Sequence, residues 1–368
     1  MIQPTLLGKL HHDVTHRGVT AWLLAVLITG FYLVLWFTEH LQPVAEAVGL
    51  GSKWTLYSAA YTVVMVVAGG FVAVKYRHNR YQLVRTASVV FFQVSFGFAI
   101  PQLLKFMSAP EYYFSYFWPL KIDYFYPSNI IQQPLPLVIY SFVGALVVVP
   151  VLGIFFGKRW YCSWVCGCGG LANTFGDPWR QLSSKTLTSW KIEKVSIHSM
   201  LVITVFTTAV SILSALLPQD VALAETGAKT RELYLLVVTA ILAGALGTGL
   251  YPVGGTRVWC RFFCPMAAFL GLIQKFGRYR IRVKEDMCIS CGMCSTYCEM
   301  GIDVRAYAQA NQSFTRASCV GCGLCAEVCP RGVLRLENVS RQDPQQVSRL
   351  PIIQEDWKGS ASCTSCRH

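Results

Sequence analysis

Eight of the fifteen cysteines in this chain fall into two runs of one spacing, Cys288-x2-Cys291-x2-Cys294-x3-Cys298 and Cys319-x2-Cys322-x2-Cys325-x3-Cys329-Pro330. Soft thiolates on such short loops suit iron and sulfide. Three cap one face of a cubane, and the fourth, on the helix that follows, reaches the other cluster. The spacing assigns Cys288, Cys291, Cys294 and Cys329 to one [4Fe-4S] cluster and Cys319, Cys322, Cys325 and Cys298 to a second. A pair of zinc sites would need only four ligands each in a simpler spacing. Gly292, Gly321 and Gly323 let the backbone pass close to sulfide. Glu299 follows Cys298 where the other run has Pro330. A carboxylate there disfavours added negative charge, so a lower potential is expected of the cluster that Cys298 ligates.

Four more cysteines form a second repeat. Residues 157–166 read Gly-Lys-Arg-Trp-Tyr-Cys-Ser-Trp-Val-Cys and residues 255–264 read Gly-Thr-Arg-Val-Trp-Cys-Arg-Phe-Phe-Cys, two copies of G-x-R-x-aromatic-C-x3-C. Cysteines four apart on a helix share a face, so each copy presents a pair. Facing across a pseudo-two-fold axis, Cys162, Cys166, Cys260 and Cys264 would make a four-thiolate cage. Iron-sulfur, zinc and cuprous copper all accept such a donor set, and a redox-active thiol or a structural brace uses the same residues. Cys168 is either a substitute ligand or a small packing residue.

These motifs need a scaffold, and the rest of the chain supplies a membrane one. It is 54% hydrophobic and 14% charged, with a mean hydropathy of +0.43. Runs of about twenty uncharged residues cross a hydrocarbon core. Six are found, near 19–38, 54–74, 86–106, 135–156, 197–217 and 233–253. Each cysteine repeat follows the second arm of a helical hairpin, and the two hairpins share one membrane orientation. The expected fold is an all-α bundle of about six spans with duplicated hairpins, then a small α+β bacterial-type two-cluster ferredoxin domain. The divisions are 1–18 as a cytoplasmic segment, 19–275 as the membrane domain, 276–340 as the ferredoxin domain and 341–368 as a tail with Cys363-x2-Cys366. The first span reads as a retained anchor rather than a cleaved leader.

Counting Lys and Arg in the flanks up to residue 275 gives 15 on the side of the N-terminus and 5 (Lys53, Lys105, Lys121, Lys229 and Arg231) on the other. The positive-inside rule then puts both termini and every cysteine in the cytoplasm of a bacterial inner membrane, where thiols stay reduced. The net charge of +13 comes in bursts between apolar runs, against nucleic-acid binding, and a secreted disulfide scaffold, which would be short, loop-rich and polar, does not fit this composition. The basic stretch Lys275, Arg278, Arg280, Arg282 and Lys284 reads as a linker lying on lipid headgroups. Aromatic residues crowd 107–134, as in an outer-interface belt, with a quinone groove as the alternative. Trp160, Tyr161, Trp164, Trp259 and Phe263 could line a quinone beside the membrane cysteines, or simply pack. His40 and His198 fall at opposite ends of their spans and cannot share an iron, so no haem is expected.

In the order of its motifs the chain resembles the polyferredoxin-type membrane proteins. These include the membrane quinol dehydrogenase subunit of periplasmic nitrate reductase systems, the membrane part of nitrous oxide reductase activators and the cytochrome oxidase accessory proteins. The likeness runs over roughly 60–335 and rests on the paired C-x3-C motifs and the two-cluster domain. Cys260, Phe263, Cys264 and Pro265 match the membrane motif, whereas Cys166 is followed by Gly167 instead of proline. The resemblance implies an electron-transfer subunit of a quinol dehydrogenase or oxidoreductase complex, with quinone, other redox subunits and a separate flavin-binding or cytochrome subunit as partners. Its accessory branch implies the alternative of a copper-reducing or oxidase-assembly factor using the membrane cysteines. No catalytic residue is assigned, because the clusters carry the redox chemistry.

Overall fold

The computed structural model describes residues 13–217 and 219–339. The tail motif with Cys363 and Cys366, and most of the N-terminal segment, lie outside them. Among the described residues six helices are long and apolar enough to cross a membrane: α1 (Val19–Phe37), α2 (Lys53–Lys75), α3 (Arg80–Phe106), α4 (Leu135–Phe156), α5 (Leu187–Leu216) and α6 (Val221–Gly249). Their positions agree with the hydropathy reading. However, α5 and α6 begin about ten residues earlier, because hydropathy stops at Lys194 and Arg231 while the helix does not. Side-chain caps set the starts of α2, α3, α5 and α6: Ser52, Asn79, Thr186 and Asp220 each accept a backbone N–H of the first turn. Bare apolar residues such as Leu23, Val26 and Leu27 on α1 and Phe71 on α2 cover the outside of the bundle, a surface suited to lipid.

A shorter apolar helix, α7 (Pro265–Gln274), packs between α4 and α5. It leads into β1 (Tyr279–Val283), which pairs antiparallel with β2 (Leu334–Asn338), Ile281 opposite Leu336. The fold is thus a mostly helical chain with six membrane-type helices followed by a ferredoxin region with little sheet. The stretch read as a basic linker is partly this strand. Tyr-Arg-Ile-Arg-Val has a period of two, so Tyr279, Ile281 and Val283 point inward while the arginines point out.

The segment 107–134 departs from the belt expectation. It folds back into the bundle: Tyr112, Ser115, Phe117, Phe125 and Tyr126 are buried. Tyr112 stacks on Tyr124 at 4.4 Å, and the Trp118 indole N–H donates to Thr208 on α5. Tyr161 of the first cysteine motif donates to the Ser115 carbonyl at 2.8 Å, so the segment closes the bundle from the side opposite the ferredoxin region. Gly144 on α4 makes room for it, since a Cβ there would stand 2.1 Å from the Phe117 ring. Gly144→Val should therefore expel Phe117 and cost about 1–3 kcal/mol by overpacking. The readout is a lower unfolding temperature in detergent; an unchanged one would mean the ring is not seated there.

Candidate metal centre

All thirteen described cysteines are free, and none lies within a spanning helix. They belong to three groups, which the fold sets side by side at one end of the bundle.

The first group is the membrane repeat, whose two copies share a backbone path. Gly157 and Gly255 both take positive φ (70° and 87°). Cys166 N–H bonds the Tyr161 carbonyl and Cys264 N–H the Trp259 carbonyl, at 2.8 and 2.9 Å, five residues back in each copy. Cys166 and Cys264 then become extended N-caps of the helices that follow, Gly167–Asn173 and α7. The pairs are therefore not carried on one continuous helix face as expected. Each chain breaks at its second cysteine, in one copy at Pro265, which has no N–H to continue the helix. In the other copy Gly167 stands at this place, and its missing Cβ leaves room for the Tyr116, Gln93 and Tyr61 side chains.

The repeat does bring Cys162, Cys166, Cys260 and Cys264 together: all are buried in one core, and their thiols are electrostatic neighbours. Cys168 joins them. Its hydrogen bond, acting with the N–H groups of Gly169 and Cys168 against burial, pulls the Cys166 thiol down to about 7. Burial instead pushes Cys162 up to about 12. Arg257 reaches both copies, its Nη1 lying 3.4 Å from the Cys162 carbonyl and 3.7 Å from Cys260 Sγ. Tyr161 and Trp259 are core residues, and Trp160, Trp164 and Phe263 pack against the same core.

The second and third groups are the ferredoxin cysteines. A partly open pocket is lined by Cys288, Cys291, Cys294 and Cys329, the four thiols that the crossed pairing brings together. The Cys294 thiol is pushed up to about 11, by burial first and then by Cys329, Cys291 and Cys288. In the other group Cys325 has Cys322, Cys319 and Cys298 as electrostatic neighbours. Backbone N–H groups aim at sulfur in matched positions, Ile302 at Cys298 Sγ (3.3 Å) and Val333 at Cys329 Sγ (3.4 Å). Such N–H···S bonds suit thiolates of an iron-sulfur cluster. The two loops also share a backbone kink: Ser290 has φ 60° where the other run has Gly321 at 62°. Glycine is required at 321 because Arg159 Cβ would stand 2.5 Å from an added Cβ. Among the described residues no three His, Cys, Asp or Glu side chains are gathered tightly enough for a single metal ion. Cubane thiolates stand further apart, since iron and sulfide lie between them. The donor chemistry and the aimed N–H groups fit two such clusters.

The Cys319 loop is the part of the ferredoxin region gripped by the membrane domain. Tyr81 and Gln82, in the first turn of α3, donate to the Gly321 and Cys322 carbonyls at 2.6 and 2.9 Å. Ser163, next to Cys162, donates to Val320 (2.7 Å), and Gln274 of α7 to Arg316 and Cys319. Glu193 of α5 links Arg261 (2.6 Å) to Ser318. Cys291, by contrast, is exposed.

Glu299 is the innermost joint. It is fully buried between Arg180 (2.5 Å) and Arg257 (2.9 Å), themselves fully buried. Burial alone would raise its carboxyl, but Arg257, Arg180 and Arg85 hold it below the usual carboxylate range. The expected uncompensated negative charge beside Cys298 is therefore absent: two guanidiniums take it up. In the sequence Arg85, Arg180 and Arg257 stand only among the fifteen basic residues that set orientation. Only Arg257 carries a local clue, as the arginine recurring in the G-x-R repeat, whose other copy, Arg159, also crosses to the ferredoxin region, at Asn338 (3.0 Å). Glu299→Ala would strand two buried guanidiniums and should destabilise the docked state by about 3–5 kcal/mol. It is checked by earlier proteolytic release of the ferredoxin region in denaturant; release at the wild-type concentration would contradict it.

Comparison with known proteins agrees with this division. A family model described as a 4Fe-4S dicluster domain matches residues 281–336. A second, described as a 4Fe-4S binding domain, matches twice, at 136–186 and 235–284, once on each copy of the membrane repeat. The putative electron transport protein YccM of Escherichia coli is 25% identical over 48% of this chain and 51% of its own. The uncharacterized protein MJ0749 of Methanocaldococcus jannaschii is 24% identical over 43% and 58%. The methylamine utilization ferredoxin-type protein MauN of Paracoccus denitrificans is 40% identical over 11% and 15%. The chain thus spans little more than half the length of the first two curated relatives. No solved structure matches it. These similarities support a polyferredoxin-type protein with 4Fe-4S domains.

Proposed function

We propose that this chain is the membrane-embedded iron-sulfur subunit of an oxidoreductase complex. It would exchange single electrons between a quinone in the lipid and redox partners at the cytoplasmic face of a bacterial inner membrane. The observation that carries the reading is the row of three thiol groups. The membrane cysteines lie beside the gripped Cys319 loop, and the Cys288 group lies beyond it with Cys291 exposed. The names of the Escherichia coli and Paracoccus relatives, an electron transport protein and a ferredoxin-type protein, favour the same role.

Cys288, Cys291, Cys294 and Cys329 would hold one [4Fe-4S] cluster and Cys319, Cys322, Cys325 and Cys298 the other, with Cys162, Cys166, Cys260 and Cys264 as a third iron-sulfur site. Bound clusters supply reversible one-electron chemistry, so the protein has to supply only spacing, water exclusion and field. The buried loop around Cys319 and Cys325 excludes water. The Ile302 and Val333 N–H groups steady the sulfurs of Cys298 and Cys329. The exposed rim at Cys291 offers a short path to a soluble or peripheral partner.

A second reading, transient copper binding by an assembly factor, is favoured by the fifth thiol: Cys168 bonds Cys166 and neighbours Cys260 and Cys264, one donor more than a cubane needs. Iron and sulfide analysis with EPR on anaerobically prepared protein separates the two. About eight irons means ferredoxin clusters only, and about ten to twelve means the membrane thiols hold another. Copper retained alongside eight irons, and lost in Cys162→Ser, would favour the second reading; iron-free protein would end both.

A further inference from the structure

The inner end of α3 carries a charge that no carboxylate among the described residues pairs with directly. Arg85 is fully buried, and its Nη1 donates to the Cys322 carbonyl at 3.0 Å. Its Nε and Nη2 are also buried and have no hydrogen-bond partner among the described residues. Arg180 nearby is a like charge, and Glu299, the nearest carboxylate, is already taken by Arg180 and Arg257. Four cations, Lys75, Arg85, Arg180 and Arg257, stand in this network against three carboxylates, Asp13, Asp177 and Glu299. A buried guanidinium left uncompensated is strongly destabilising. The position therefore calls for an anion that the described side chains do not supply, next to Cys322.

We infer that Arg85 is the counter-ion of the [4Fe-4S] cluster held by Cys319, Cys322, Cys325 and Cys298 and raises its reduction potential relative to the Cys288 cluster. This rests on the cluster assignment proposed above. A cubane with four thiolates is a dianion when oxidised and gains one electron to become a trianion. A fixed cation beside it stabilises the reduced form more than the oxidised one. Among the described residues the Cys288 pocket is lined by no fully buried cation: it is bordered by Arg305, half-buried, and Arg331, exposed, where solvent screens them. Between the two clusters, an electron thus rests on the one gripped by the membrane domain. This reverses the order expected from Glu299 alone.

The test is an EPR-monitored redox titration of the full chain, with dithionite as electron donor and ferricyanide as acceptor. Arg85→Gln should shift one of two midpoints downward, that of the signal lost in Cys322→Ser, and leave the other in place. Arg85→Lys, which keeps the charge, should recover most of the shift. Should Arg85→Gln fail to assemble, Gln82→Glu carries the test. Gln82 lies one turn before Arg85 and donates to the same Cys322 carbonyl, so the new carboxylate would pair with Arg85 and lower the same midpoint. Both midpoints unchanged in an assembled variant, or a shift in the signal that survives Cys322→Ser, would overturn the inference. A wild-type protein without two cluster signals would instead overturn the functional reading on which it stands.

Discussion

The structure depends on a buried carboxylate held between two guanidiniums. Arg180–Glu299–Arg257 joins three parts that are distant in sequence: the turn after the first cysteine motif, the second motif itself, and the residue following Cys298. Asp177, Lys75 and Asp13 extend it, with ion pairs of 2.5–2.6 Å, to the inner end of α2. Such a network adds little to stability compared with well-packed apolar residues. What it does is tie the residue after Cys298 to both membrane motifs through pairs that form only when these segments meet. It also makes the electrostatic surroundings of the second cysteine run a property of the membrane domain.

Around this joint, hydrogen bonds to backbone carbonyls of the Cys319 loop do the positioning. Tyr81, Gln82, Arg85, Ser163 and Gln274 all donate to residues 319–322 or their neighbours. Carbonyls of a cluster loop have few helix or strand partners, so each is satisfied by a membrane-domain side chain instead. The result is asymmetric. One ferredoxin site is enclosed and set in a fixed field, while the other opens to solvent. Sequence duplication alone would have made them equivalent.

Much of this was legible before any coordinates. The spans follow from the cost of charges in hydrocarbon, and the two cysteine runs follow from spacing alone. The convergence of Cys162, Cys166, Cys260 and Cys264 was readable from the repeat, because a duplicated hairpin brings matching positions together. What was not legible depends on tertiary contact. Lys158, Arg85, Arg180 and Arg257 look like orientation charges in a linear reading, yet they are among the most buried side chains. Nothing local distinguishes a lysine facing headgroups from one donating to Ala317. The aromatic residues of 107–134 satisfy the composition of an interface belt equally well as a plug, and only the small residue Gly144 opposite Phe117 separates the two. Glu299 stands out in the sequence, but its sign of effect depends on partners supplied by segments 119 and 42 residues away.

The two ferredoxin cysteine runs are proposed to hold iron in crossed sets, one of them against the inner end of α3. Anomalous scattering at the iron edge from crystals of anaerobically prepared protein addresses it most directly. Two iron-rich peaks are expected, one enclosed by Cys319, Cys322, Cys325 and Cys298 close to the α3 end at Arg85, the other by Cys288, Cys291, Cys294 and Cys329. Peaks enclosed by each run's own four cysteines, or none at the iron edge, would contradict this assignment.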